Sequence, residues 1–139
     1  MSAVLSSLTQ QHSKAISQKL NAQASISALQ EKISRLQVAH EKLSTELNVL
    51  RSTSQKIRTL KVVDHQWKGT KRNSFDHHYS DYKQSVSQYV MRTEDRQEQL
   101  KEEIQSAQQS LYSFERTLAM LNSQISSLND QIKQVRRES

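Results

Sequence analysis

Apolar residues return at alternating spacings of three and four over most of the chain. In the first half the series is Leu5, Leu8, His12, Ala15, Lys19, Ala22, Ile26, Leu29, Ile33, Leu36, His40, Leu43, Leu47, Leu50, Ser54 and Ile57. From Ile26 onward only His40 and Ser54 interrupt it. This is the a/d stripe of a heptad, which lets one helix pack along another, and not the alternation of a strand. The second half carries Phe75, Tyr79, Tyr82, Val86, Tyr89 and Thr93, then Leu100, Ile104, Ala107, Leu111, Phe114, Leu118, Leu121, Ile125, Leu128, Ile132 and Val135. Between Tyr89 and Leu100 the register slips by one, with Val90 competing for the inner face. The segment around Arg92 to Gln99 is polar on every side, so looser packing is expected there.

The pattern predicts one helix over about 3–62, a turn over about 63–70 and a second helix over about 71–136. The chain has no Pro, and its single Gly, Gly69, lies in the predicted turn beside the single Trp, Trp67. Glycine adopts a left-handed backbone at little cost and so ends a helix well. Each helix would be roughly 90 Å long at 1.5 Å per residue. A connection this short forces the helices to run antiparallel. The expected fold is therefore all-α: an elongated antiparallel two-helix hairpin, a coiled coil that makes a single domain of residues 1–139.

In that pairing Ile26 to Ile57 face roughly Tyr82 to Tyr112, and Leu5 to Ala22 face roughly Arg116 to Lys133. The second stretch is unbalanced. Leu118, Leu121, Ile125, Leu128 and Ile132 form a strong stripe opposite a weak one that includes His12, Lys19 and Ala22. This points to those five residues as a face that binds a partner outside the hairpin. The competing reading is internal packing against Leu5, Leu8, Ile16 and Leu20. A two-helix hairpin has one seam, so association into a larger bundle, as a homodimer or with another helical chain, is expected.

Composition narrows the function. Hydrophobic residues make up 34 % and aromatics 5 %, enough for a narrow seam and too little for a multilayer core. The chain has no Cys, which removes thiol chemistry and disulfides. One Gly cannot build a glycine-rich phosphate loop, and a helical hairpin offers no pocket for a catalytic triad, so no enzyme activity, catalytic residue or cofactor is expected. His77 and His78, adjacent on a helix and near Asp81 and His65, make a poor metal pattern, and no metal is expected. The net charge of +6 admits a polyanion partner, with Arg51, Lys56, Arg58, Lys61, Lys68, Lys71 and Arg72 near the turn. Nearby aromatics fall on the seam, however, and the arrangement matches no groove-reading motif, so nucleic acid is not the favoured partner. No apolar run is long enough to span a membrane, and the first residues show no basic leader followed by an apolar block.

The turn carries a resemblance. Trp67-Lys68-Gly69 resembles the Trp-x-Gly turn of the small helical-hairpin substrates of type VII secretion, and Phe75 looks like the aromatic that follows that turn. With Trp-Lys-Gly-Thr-Lys-Arg-Asn-Ser-Phe at its centre, the chain is similar to the YwqH-like proteins encoded beside LXG polymorphic toxins in Gram-positive bacteria. The resemblance implies a non-enzymatic, chaperone-like targeting factor. It would bind the helical N-terminal domain of an LXG-type toxin, together with a second small helical protein, and meet the secretion ATPase indirectly. It also implies cytoplasmic residence, with export beside the partner by a leaderless route. Secreted members often carry a Tyr-x-x-x-Asp/Glu signal after the second helix. Here Tyr79, Tyr82, Tyr89 and Tyr112 are followed at that spacing by Lys83, Val86, Thr93 and Arg116, so a partner would have to supply it. Trp67 has two readings, an indole that plugs the hairpin end over Val62 and Val63, or a ring that a partner recognises. The alternatives to a targeting factor are a self-associating structural coiled coil and a basic nucleic-acid-binding hairpin.

Overall fold

The computed structural model describes residues 2–59 and 70–138. They form two helices, α1 (Ser2–Thr59) and α2 (Thr70–Glu138), and the described residues contain no strand. The protein is an all-α helical hairpin in which the two helices pack against each other. Neither described segment contains Pro or Gly, and both are rich in Leu, Gln, Glu, Lys and Arg, which lose little on entering a helix. The predicted turn, with Trp67 and Gly69, lies outside the described residues.

Contacts gather the hairpin into two compact units, each with a share of both helices. Unit 1 contains Met1–Arg35 and Ile104–Ser139. Its core is Ala15, Ala22 and Ile33 from α1 with Ala107, Leu121, Leu128 and Ile132 from α2. Around them Leu5, Leu8, His12, Lys19, Ile26 and Leu29 are half-buried, as are Ile104, Leu111, Leu118, Ile125 and Val135. Burying each Leu or Ile here contributes about 1.5–3 kcal/mol relative to exposure.

Unit 2 contains Leu36–Glu103. Leu47, only 1 % exposed, is the one large side chain wholly buried among its described residues. Polar contacts between its described residues give its register. Gln97 Nε2 donates to Ser44 Oγ at 2.6 Å, Arg51 Nη2 to Glu94 Oε1 at 3.1 Å, and Arg58 Nη2 to Ser87 Oγ at 3.3 Å. Rising numbers on α1 meet falling numbers on α2, so the helices are antiparallel. Thr93, buried at the same level, satisfies its hydroxyl by donating to the Tyr89 carbonyl 2.9 Å away.

The register of α2 differs from the sequence expectation at one place. All sixteen seam positions named for α1 are buried or half-buried. On α2, Tyr82 and Tyr89 point outward at 54 % and 56 % exposure, and Lys83, Val90 and Gln97 take the inner positions. From Lys83 to Val135 the inner positions alternate by three and four, with Phe114 alone on the exposed side, so there is no slip near Leu100. The irregularity lies earlier, at Arg72, Phe75, Tyr79 and Lys83, spaced three, four and four. Such an insertion of four residues locally unwinds a left-handed coil. It is filled by the Phe75 and Tyr79 rings, stacked at 5.6 Å, and by the Lys83 ammonium 4.6 Å from the Tyr79 centroid.

Candidate functional site

Of the three residues expected to form the turn motif, Phe75 is described. It is half-buried in unit 2, on the inner face of α2. Its ring stacks on Tyr79, a residue one helical turn along, so its role in the described structure is packing. Trp67 and Gly69 fall outside the described residues.

The five residues expected to face an outside partner all belong to unit 1. Leu121, Leu128 and Ile132 are core, and Leu118 and Ile125 are half-buried. They lie on the inner face of the hairpin and do not form a free apolar surface. The physical reason is the small side chains opposite. Ala15 and Ala22 bring the α1 backbone close to α2, so a stripe that looks weak in apolar count still covers its partner. Ile16 and Leu20, proposed as part of that cover, are on the outside at 38 % and 60 % exposure.

Among the described residues a concavity flanks the seam in each unit. In unit 1 a cavity of about 350 Å³ has Ala22 and Leu121 as its floor and Phe114 as an exposed wall. Its rim is uncharged, made by Gln18, Asn21, Ser25 and Thr117. In unit 2 a cleft of about 550 Å³ runs between the helices. Arg51, Ser54, Gln55 and Arg58 line it from α1, and Ser87, Val90, Met91 and Glu94 from α2. The cleft exists because a serine, Ser54, occupies a seam position where a leucine would fill the space. Arg51 and Arg58 are one heptad apart and stand on the same side of α1. Sequence reasoning noted the basic residues of this end but not the cleft. The signal available was a polar seam residue flanked at −3 and +4 by arginines.

The charge is also distributed unevenly. α1 carries eight basic and three acidic residues, while α2 carries ten of each. The cationic excess of the described residues therefore belongs to α1. Arg51 is matched by Glu94, with both side chains about half exposed. Among the described residues Arg58 meets a hydroxyl and no carboxylate.

Among the described residues no three His, Cys, Asp or Glu side chains converge as they would around a metal ion. His77 Nε2 lies 3.4 Å from Asp81 Oδ2 in an exposed pair one turn apart. No helix among the described residues is long and apolar enough to cross a membrane.

Comparison with curated proteins and with solved structures finds no match. A model of the YwqH-like family matches residues 8–130, which takes in most of α1 and α2 and the stretch that joins them. The chain belongs to the YwqH-like family.

Proposed function

We propose that this hairpin is a non-enzymatic targeting factor. It binds the helical N-terminal domain of an LXG-type toxin and delivers it to a type VII secretion system. Membership of the YwqH-like family carries this reading. Two physical features support it. A hairpin with one seam leaves the outer faces of two long helices free for further helices. Large apolar side chains also stand on those outer faces, among them Tyr82, Tyr89, Met91, Tyr112 and Met120. The partner's own amphipathic helices would be covered by this chain before export, and the partner would supply the acidic export signal that this chain lacks at the expected spacing. Trp67 and Gly69 would form the recognition turn, with Phe75 holding the start of α2 behind them.

The reading is tested in the host cell. Deleting this chain should lower both the soluble and the exported amounts of the LXG-type partner without changing its transcript. Export that continues at the wild-type level refutes it. Trp67→Ala should reduce export while leaving helix content unchanged, and unaltered export would remove the turn from the mechanism.

A further inference from the structure

The cleft of unit 2 has a chemistry of its own. Its apolar part is Val90 and Met91, and Met91 is 63 % exposed. Arg51 and Arg58 stand on the α1 side, and Glu94 is the one acid that lines it. Glu94 is already engaged by Arg51 at 3.1 Å. The Arg58 guanidinium donates one bond to Ser87 Oγ at 3.3 Å and faces no carboxylate among the described residues. A guanidinium has five donors in a planar fork shaped for a carboxylate, so most of this group's capacity is unspent.

The geometry points to this cleft as the seat of one partner helix that presents a carboxylate beside an apolar side chain. The carboxylate would pair with Arg58, and the apolar neighbour would enter over Val90 and Met91. This inference rests on the partner-binding reading above and names where the contact is made. Charge complementarity selects the occupant. Among the described residues the cleft holds one cation that meets no carboxylate, so it matches one acid and not a run of them. Glu94 would repel a phosphate backbone passing along the same groove, and the Val90 and Met91 surface gives such a backbone nothing to bind. A second copy of this chain is a poorer fit, because the excess charge of its α1 is cationic like the cleft and the acids of its α2 are matched in number by bases on the same helix. An amphipathic helix laid into an apolar groove, with one charge pair to fix its register, meets both requirements.

The test uses the full chain and the helical N-terminal domain of the LXG-type toxin proposed as its partner, with binding followed by calorimetry. Arg58→Glu should weaken binding at least about tenfold, and Arg58→Lys less, because a lysine lacks the planar fork. Met91→Ser should weaken it several-fold while helix content stays unchanged. A scan of the partner's acids to Lys should find one position whose loss of binding is restored by Arg58→Glu. Wild-type binding that is indifferent to both Arg58→Glu and Met91→Ser overturns the placement and leaves the targeting function standing. No binding by the wild-type chain overturns both. Steeply salt-dependent binding of a DNA duplex that disappears in Arg58→Glu would make the cleft a polyanion site and also overturn the inference.

Discussion

Leu47→Ala is the perturbation whose cost follows most directly from the seam. Leu47 is 1 % exposed and is, among the described residues, the one large side chain with essentially no solvent contact. The crossings at Ser44–Gln97 and Arg51–Glu94 bracket it, so it packs at the level of residues 94–97 on α2. That level of α2 offers Thr93 and Gln97 at inner positions, so no large apolar neighbour from α2 can shift into the gap. Removing about three methylene equivalents at about 0.8 kcal/mol each gives about 2.4 kcal/mol of lost transfer energy. The space left behind raises the total to about 3 kcal/mol, within the range for buried Leu→Ala changes. Urea unfolding followed by far-ultraviolet circular dichroism reads this directly. With a slope of about 2 kcal/mol/M, the midpoint should fall by about 1.5 M. Val49→Ala on the outer face of the same helix, 61 % exposed, should stay within about 0.5 kcal/mol of wild type. A loss below about 1 kcal/mol for Leu47→Ala, or equal losses for the two variants, would refute the assigned seam.

Three further outcomes follow from the same packing. Val90→Asp should lower the unfolding midpoint sharply while Tyr89→Asp leaves it nearly unchanged, since Val90 is inside and Tyr89 outside; the reverse order in a thermal melt would restore the slipped register. Ser44→Ala should cost about 1 kcal/mol by leaving the Gln97 amide short of a partner, and the double change with Gln97→Leu should recover that loss, as a double-mutant cycle in urea would show. Leu121→Asp with Leu128→Asp should unfold unit 1, seen as loss of hydrogen-exchange protection across both its helical segments, and retained protection would place that stripe outside the core.

Much of the hairpin was legible in the residues, because heptad spacing is a long, redundant signal. Every position assigned to the α1 seam is buried or half-buried, and so is the α2 series from Leu100, with Phe114 alone on the exposed side. The errors arose where residue type and burial part company. Tyr82 and Tyr89 count as apolar in a pattern, yet tyrosine carries a hydroxyl that is content in water. Lys83 counts as charged, yet its aliphatic stem can lie inward while the ammonium rests on the Tyr79 ring. Gln97 becomes an inner residue only because Ser44 accepts its proton from the other helix, a pairing no local pattern contains. The stripe from Leu118 to Ile132 looks unpartnered in the sequence for a related reason. A count of apolar atoms misses how closely Ala15 and Ala22 allow two backbones to approach.

The central claim is that this hairpin works by holding another helical chain, and its most direct test is the mass of the purified species. Co-expressed with the helical N-terminal domain of the LXG-type toxin proposed as its partner, the protein should elute as one peak whose light-scattering mass requires both chains in a fixed ratio. A species of twice the chain's 16.1 kDa, formed alone and unchanged by the presence of that domain, would contradict the account and make the molecule a self-sufficient coiled coil.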